Sequence, residues 1–498
     1  MARSPNILLL MTDQMRHDAM GCAGNFRIRT PHLDRMASQG VRYRSAYSPS
    51  PECVPARASF TFGQDVWETG CTCNGENMPL DRLETMMGAL GRAGYTTHGI
   101  GKYHFTPSRV GYDLHGFGSR ESSEEITSDP ERDDYLQFLW FHGGKHITDP
   151  HGVRGDMYYV PQPAQMSAEL HPTQWVGDRA CAYLEERAKT TAPWYLYASF
   201  IHPHPPFAPP APWHKLYRDV DMPPPHLPPD YESLQIHINH LQNRYKRRDQ
   251  GMDQRLLQVM RAYYFACVSF IDFQVGRILD ALEASGQAEN TLVLFTSDHG
   301  ELLGDYGSFG KRSYHDAASR IPLIARLPGE FSGGEVRDDP VSLIDLTATC
   351  LDVANAKYAT HTGSGETLRH SGEERAHQYA YTQYARGANA VYTAVEQGLK
   401  YVYSAPDNRA LLFDRKNDPG ETRDLFGSSA ADSRVVAEGE SLGARLRQHL
   451  AQTGGGADAL DGDQWRQYPA PKPFAGPDDG LIFQDHPWAD QAIPGYTI

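Results

Sequence analysis

Cysteine is scarce in this chain. The 498 residues include seven, an odd number, with no spacing that suggests a disulfide framework. Cys71 and Cys73 lack a second Cys/His pair that would close a zinc site. Long apolar runs are absent too, so no stretch approaches the length of a membrane span. Ile7 to Met11 is apolar, but it is too short and too early for a secretory leader, and no small-residue cleavage site follows. These absences lead to the expectation of a cytoplasmic chain with no membrane partner. Positive charge is in deficit as well. Lys plus Arg number 47 against 62 Asp plus Glu, a formal net charge of -15. That disfavours nucleic acid as a partner and leaves room only for local cationic pockets. No internal repeat is apparent.

What is present suits a globular chain. With 40% hydrophobic and 22% charged residues, it can build a large core and two or three domains. Ile7 to Met11 reads as a buried parallel strand that ends in Asp13-Gln14. Tyr95 to Ile100 is a strand running into Gly101-Lys102-Tyr103-His104. Extended backbone would put Lys102 and His104 on one face. Trp194 to Phe200 is a strand leading to His202-Pro203-His204-Pro205-Pro206. Thr291 to Thr296 is a strand ending in Ser297-Asp298-His299-Gly300. Open α/β sheets gather ligands at the carboxyl ends of their strands, so Asp13, Lys102, His202 and Asp298 are expected around one pocket. Leu256 to Leu282 has helical periodicity, with Val259, Tyr263, Cys267, Ile271, Val275, Ile278 and Leu282 as core. Glu121 to Pro163 is polar and irregular and reads as an insertion facing the substrate. Tyr379 to Tyr403 alternates as an antiparallel sheet does, and Val435 to Leu450 continues as a helix. Trp465, Phe474, Phe483 and Trp488 in the tail suggest contact with a surface, such as that of a second subunit.

The remaining motif is Ser50-Pro51-Glu52-Cys53-Val54-Pro55-Ala56-Arg57-Ala58-Ser59. Its prolines restrict the backbone, so Cys53 is expected in an extended turn with Arg57 near a helical turn. A thiol beside a guanidinium and a helix start would ionise easily. Taken alone, Cys53 reads as a buried cysteine, Asp13 as a helix cap and Asn74 as a turn residue.

Together these strings resemble the formylglycine-dependent sulfatases of the alkaline phosphatase superfamily. The resemblance runs in order from about Asn6 to about Leu425. It includes Gly304-Asp305-Tyr306-Gly307-Ser308-Phe309-Gly310-Lys311, like the family's glycine-rich run to a sulfate-binding lysine. Ala56 departs from the family's usual serine. The resemblance implies an α/β fold, a large, mixed, mostly parallel sheet sandwiched by helices. Residues 1–375 would form that catalytic domain and 376–498 a smaller C-terminal α+β subdomain. It implies that a maturation enzyme oxidises Cys53 to formylglycine, and that Asp13, Gln14, Cys53, Asp298 and His299 hold a divalent metal. Calcium is the first expectation from the oxygen donors, with manganese or magnesium open. By the same resemblance Arg57 supports the nucleophile, Asn74, Lys102, His202 and Lys311 bind the ester, His202 is the acid, and His104 helps to break down the sulfated hemiacetal. The substrate would be a small-molecule sulfate ester. Two alternatives are a phosphonate monoester or phosphodiester hydrolase of the same superfamily, in which Lys102 and His104 are typically replaced by uncharged residues, and a silent binding protein with unmodified Cys53.

Overall fold

The structure is a computed structural model that describes residues 4–106, 114–127, 129–245 and 253–472. In chain order its strands are β1 (Asn6–Asp13), β2 (Val41–Tyr43), β3 (Ala46–Tyr47), β4 (Thr96–Gly101), β5 (Ser119–Ser122), β6 (Trp194–Pro203), β7 (Thr291–Ser297), β8 (Leu323–Arg326), β9 (Glu335–Arg337) and β10 (Val341–Ser342). They are followed by β11 (Tyr379–Tyr384), β12 (Val391–Glu396), β13 (Leu399–Ser404) and β14 (Arg409–Asp414). The main sheet has eight strands in the order β5-β4-β6-β1-β7-β8-β2-β9. From β5 to β7 every pair is parallel. Only β8 runs against its neighbours, β7 and β2, so the sheet is mixed but mostly parallel.

Strand β1 is buried along its whole length. Successive side chains of a strand point to opposite faces. Accordingly Leu8 and Leu10 join a core with helices Pro172–Arg187 and Gln254–Ala284, through residues such as Trp175, Leu184 and Met260. Ile7, Leu9 and Met11 join the other core, with helices Cys53–Phe62 and Leu343–Val353. A fully apolar strand is what a parallel sheet covered on both faces requires.

The long helix differs in detail from its sequence pattern. Cys267, Ile271, Val275, Ile278 and Leu282 are core, but Val259 and Tyr263 are only half-buried. Leu257, Met260 and Tyr264 take the inward positions at that end. A strict four-residue spacing drifts around a helix of 3.6 residues per turn. Helix Met86–Arg92 starts where the Thr85 hydroxyl accepts from the Gly88 amide.

After residue 375, β11 to β14 form an antiparallel sheet in sequential order. Helix Ser433–Thr453 covers one face, bringing Leu442, Leu446 and Leu450 to Tyr392, Tyr401 and Tyr403. The other face carries Val402, Leu411 and Phe413 against Leu234, Ile236 and Tyr314. This sheet is tied to the segment that leads into Cys53: the Gln383 amide donates to the Pro49 carbonyl, and the Thr382 hydroxyl to that of Ser48. Trp465 stacks on Tyr403 within the same layer and does not reach outward. Phe474, Phe483 and Trp488 lie outside the described residues.

Candidate active site

The carboxyl end of β1 delivers Asp13, and the neighbouring end of β7 delivers Asp298 and His299. Gln14 follows with a left-handed φ of 66°, which turns the chain sharply out of the strand. Gly300 then packs so closely that a Cβ would collide with the Ala317 carbonyl oxygen. Cys53 is not in an extended turn as its prolines suggest. It is the first residue of the ten-residue helix Cys53–Phe62, every residue of which is buried. Pro55 fits there because amides of a helix's first turn have no partner inside the helix.

Ligand atoms of Asp13, Cys53, Asp298 and His299 lie within 4.8 Å of one another. Each carboxylate divides its work. Asp13 Oδ2 meets Lys102 Nζ at 2.6 Å and Arg57 Nη2 at 3.3 Å, and Asp298 Oδ2 accepts from Arg57 Nε at 2.9 Å. The Oδ1 atoms face His299 Nε2, at 3.8 Å and 3.6 Å. The Gln14 Oε1 atom is buried and makes no hydrogen bond. Its Nε2 is held by Glu301, whose other oxygen accepts from the Leu303 and Gly310 amides. Two carboxylates and an imidazole so close together, with an unpaired neutral oxygen on the residue after Asp13, fit a hard divalent cation.

Lys311 Nζ lies 2.6 Å from Cys53 Sγ, and His299 Nε2 lies 3.3 Å from it. Burial and the Asp13 carboxylate push the thiol up. Lys311, Lys102 and His299 outweigh them and hold it below its ordinary value. Arg57 is fully buried, and besides the carboxylates it donates to the Lys102 carbonyl, Tyr197 and Ser199. Burial opposes the charge of Asp13, but Lys102, His204, Lys311 and Arg57 hold it well below the usual carboxylate range.

A cavity of about 230 Å³ opens over the sulfur, lined by Cys53, Asn74, Gly75, His104, Glu124, Glu125, Ile126, His204, Lys311 and Arg312. Asn74 also accepts from the Val54 amide, so it helps to orient the helix start. His104 lines the cavity and Lys102 does not. The backbone here is not regular extended strand, since Gly101 and His104 both have left-handed φ, 95° and 52°. Burial, with Lys102 second, lowers the His104 pKa to about 3, and its Nδ1 has no partner.

The two histidines at the end of β6 part company. Strand β6 runs to Pro203, beyond the expected Phe200, so His202 is still within it. Its Nδ1 is 3.4 Å from the Thr173 hydroxyl, and its ring lies against His171. His204 is the histidine on the cavity wall, with Nδ1 on the Pro205 carbonyl and Nε2 3.4 Å from the Tyr158 hydroxyl. The polar segment after Glu121 folds onto the site, as its composition suggested, and it brings residues that no motif marked. The Tyr103 and His104 amides donate to Glu124. Glu125 bridges Lys102 and Arg154, and Tyr159 donates to Glu301. Arg312 pairs with Glu52, the residue before Cys53.

Ligands gathered at parallel strand ends, with a lysine and a helix start on one reactive side chain, define a hydrolase of the alkaline phosphatase type. Within that class the chain belongs to the sulfatase family. The Sulfatase family model matches residues 5–356, and a model of the C-terminal region of N-sulphoglucosamine sulphohydrolase matches residues 304–450. An arylsulfatase of Clostridium perfringens is 31% identical over 457 residues, covering 86% of this chain and 92% of that protein. A choline-sulfatase of Rhizobium meliloti is 29% identical, covering 84% and 82%. Among solved structures, the phosphonate monoester hydrolase of Silicibacter pomeroyi superposes with a TM-score of 0.75 at 25% identity, covering 91% of this chain and 96% of that one. Among the described residues no helix is long and apolar enough to cross a membrane.

Proposed function

We propose that this protein hydrolyses a small-molecule sulfate ester to an alcohol or phenol and inorganic sulfate, with formylglycine made from Cys53 by a maturation enzyme. The observation that carries the reading is the placement of Lys311, His104 and His204 around position 53, beside the Asp13–Asp298–His299 cluster. The similarity to named sulfatases supports it. A divalent cation, calcium in the first instance, would be held by Asp13, Gln14, Asp298, His299 and the side chain at position 53, and would supply Lewis-acid stabilisation and a more acidic hydroxyl. Hydrated formylglycine would supply one hydroxyl for attack and a second for release.

The chain's own groups do the rest. Lys311, buried with its Nζ 2.6 Å from Cys53 Sγ, neutralises charge that develops on the sulfuryl oxygens. Arg57 keeps one oxygen of each aspartate occupied, so that the other faces the cluster. His104, buried and neutral, accepts a proton at Nδ1. The cavity position favours His204 over His202 as the donor to the leaving oxygen. Burial and the cations Lys311, Lys102 and Arg154 keep His204 neutral in the free site. Charge that develops on the leaving oxygen as the ester bond breaks draws the proton from the imidazole. His202, buried behind it with an unpartnered Nε2, supports the loop.

The likeness to a phosphonate monoester hydrolase supports a second reading, a hydrolase of phosphorus esters. Comparing kcat/KM for nitrophenyl sulfate with that for a nitrophenyl phosphonate monoester separates the two. The sulfate is expected to be the better substrate, and a clear preference for the phosphonate would replace the first reading with the second.

A further inference from the structure

Glu125 stands on the wall of the cavity above position 53, but its carboxylate is gripped from the protein side by cationic groups. Lys102 Nζ lies 2.5 Å from Oε2. Arg154 donates to Oε1 through Nη1 at 2.8 Å and also through Nη2. His204 Nδ1 lies 3.3 Å from the same oxygen. Lys102 is fully buried and does not reach the cavity wall itself. An ammonium, a guanidinium and an imidazole converging on one pair of oxygens form an oxyanion-binding arrangement. In the free protein the oxyanion bound there is the chain's own.

We propose that Glu125 is an internal counter-anion that occupies the anion subsite, and that a sulfate ester exchanges with it for Lys102, Arg154 and His204. This rests on the sulfate-ester reading of the site. The exchange asks for little motion. Glu124 is held by its carboxylate on the Tyr103 and His104 amides and by its own amide on Asp133 Oδ2, so the backbone stays and only the next side chain turns. Ile126, adjacent to it, is 42% exposed, so the turn carries the carboxylate toward solvent. One anion replaces another, so Arg154 keeps an anionic partner and Lys102, which Asp13 also holds, keeps its second. The arrangement also selects substrate. A neutral ester cannot displace a carboxylate, whereas a sulfate ester can. Arg154, some fifty residues from Lys102 in sequence, becomes a substrate-binding residue by this exchange.

The test is the affinity of inorganic sulfate, measured by titration calorimetry on the chain with unmodified Cys53, in parallel with KM for nitrophenyl sulfate on matured protein. Glu125→Gln removes the competing charge, and sulfate is expected to bind roughly tenfold tighter, the equivalent of one charge-assisted hydrogen bond. Adding Arg154→Gln is expected to abolish that gain. Unchanged or weaker sulfate binding by Glu125→Gln overturns the proposal and leaves Glu125 as a brace for Lys102. If the variant does not fold, a crystal of the unaltered chain soaked in sulfate decides. Sulfate between Lys102 and Arg154 with Glu125 displaced supports the exchange, and sulfate bound elsewhere with Glu125 in place overturns it. If matured protein hydrolyses no sulfate ester, the functional reading fails, and the sulfate affinities still decide the role of Glu125.

Discussion

At the scale of single residues, the two histidines that flank Pro203 make the sharpest contrast. If His204 donates the proton, its loss matters most when the leaving alkoxide is basic. General acid catalysis contributes about 10²–10⁴-fold, and an acidic phenol needs little of it. His204→Ala is therefore expected to slow an alkyl sulfate far more than nitrophenyl sulfate in single-turnover measurements, while His202→Ala slows both alike. The reverse pattern would return the acid role to His202. The sequence made much of this site legible because its chemistry lies in short strings. Asp13-Gln14, Cys53 with Arg57, Asp298-His299 and Lys311 each follow a strand or a turn that proline and glycine mark, and the structure brings them together. It did not distinguish His202 from His204, since both flank one proline. What separates them is where β6 ends, a property of its pairing with β1. Glu125, Arg154 and the contact of Gln14 with Glu301 had no sequence signal, because each depends on segments that meet only in the folded chain.

Among the elements, β4 shows how the backbone aims the site. Gly101 ends the strand at a φ of 95°, and a Cβ there would collide with the Ser199 carbonyl oxygen of β6. That carbonyl accepts from the Lys102 amide at 3.0 Å. Gly101→Ala is thus expected to cost about 1–3 kcal/mol for the backbone conformation alone, with more for the collision, and to misplace Lys102 and His104. Urea unfolding checks it, and an unchanged midpoint with full activity would contradict the argument. The core strands and the long helix were readable because apolar runs and periodicity decide them. The start of the Cys53 helix was not, because its prolines resemble turn residues until burial and the Asn74 contact are known.

The whole molecule carries its pH dependence in buried histidines. Among the described residues, burial holds His17, His104 and His151 at about 3 and His202 at about 4, and holds His171, His204 and His315 well below the ordinary value. The unfolded chain charges these groups near pH 6.5, whereas the folded chain leaves them neutral, so stability they contribute above that pH is lost as pH falls toward the folded values. Asp133, Asp272 and Glu421, pushed up to about 7 by burial, act oppositely: they stabilise at low pH, and that contribution is lost as pH rises through about 7. The histidines outnumber them, so Tm is expected to fall from about pH 7 to about pH 5 by scanning calorimetry. A Tm that rises over that interval would contradict this balance. The central claim, that oxidised Cys53 is the nucleophile for a sulfate ester, is tested most directly by one paired measurement. Preparations with graded maturation are analysed by mass spectrometry for the fraction of aldehyde at position 53 and assayed for sulfate release from nitrophenyl sulfate. The account predicts turnover proportional to that fraction, falling to background for the fully thiol form. Undiminished turnover by protein whose Cys53 is entirely thiol would contradict it.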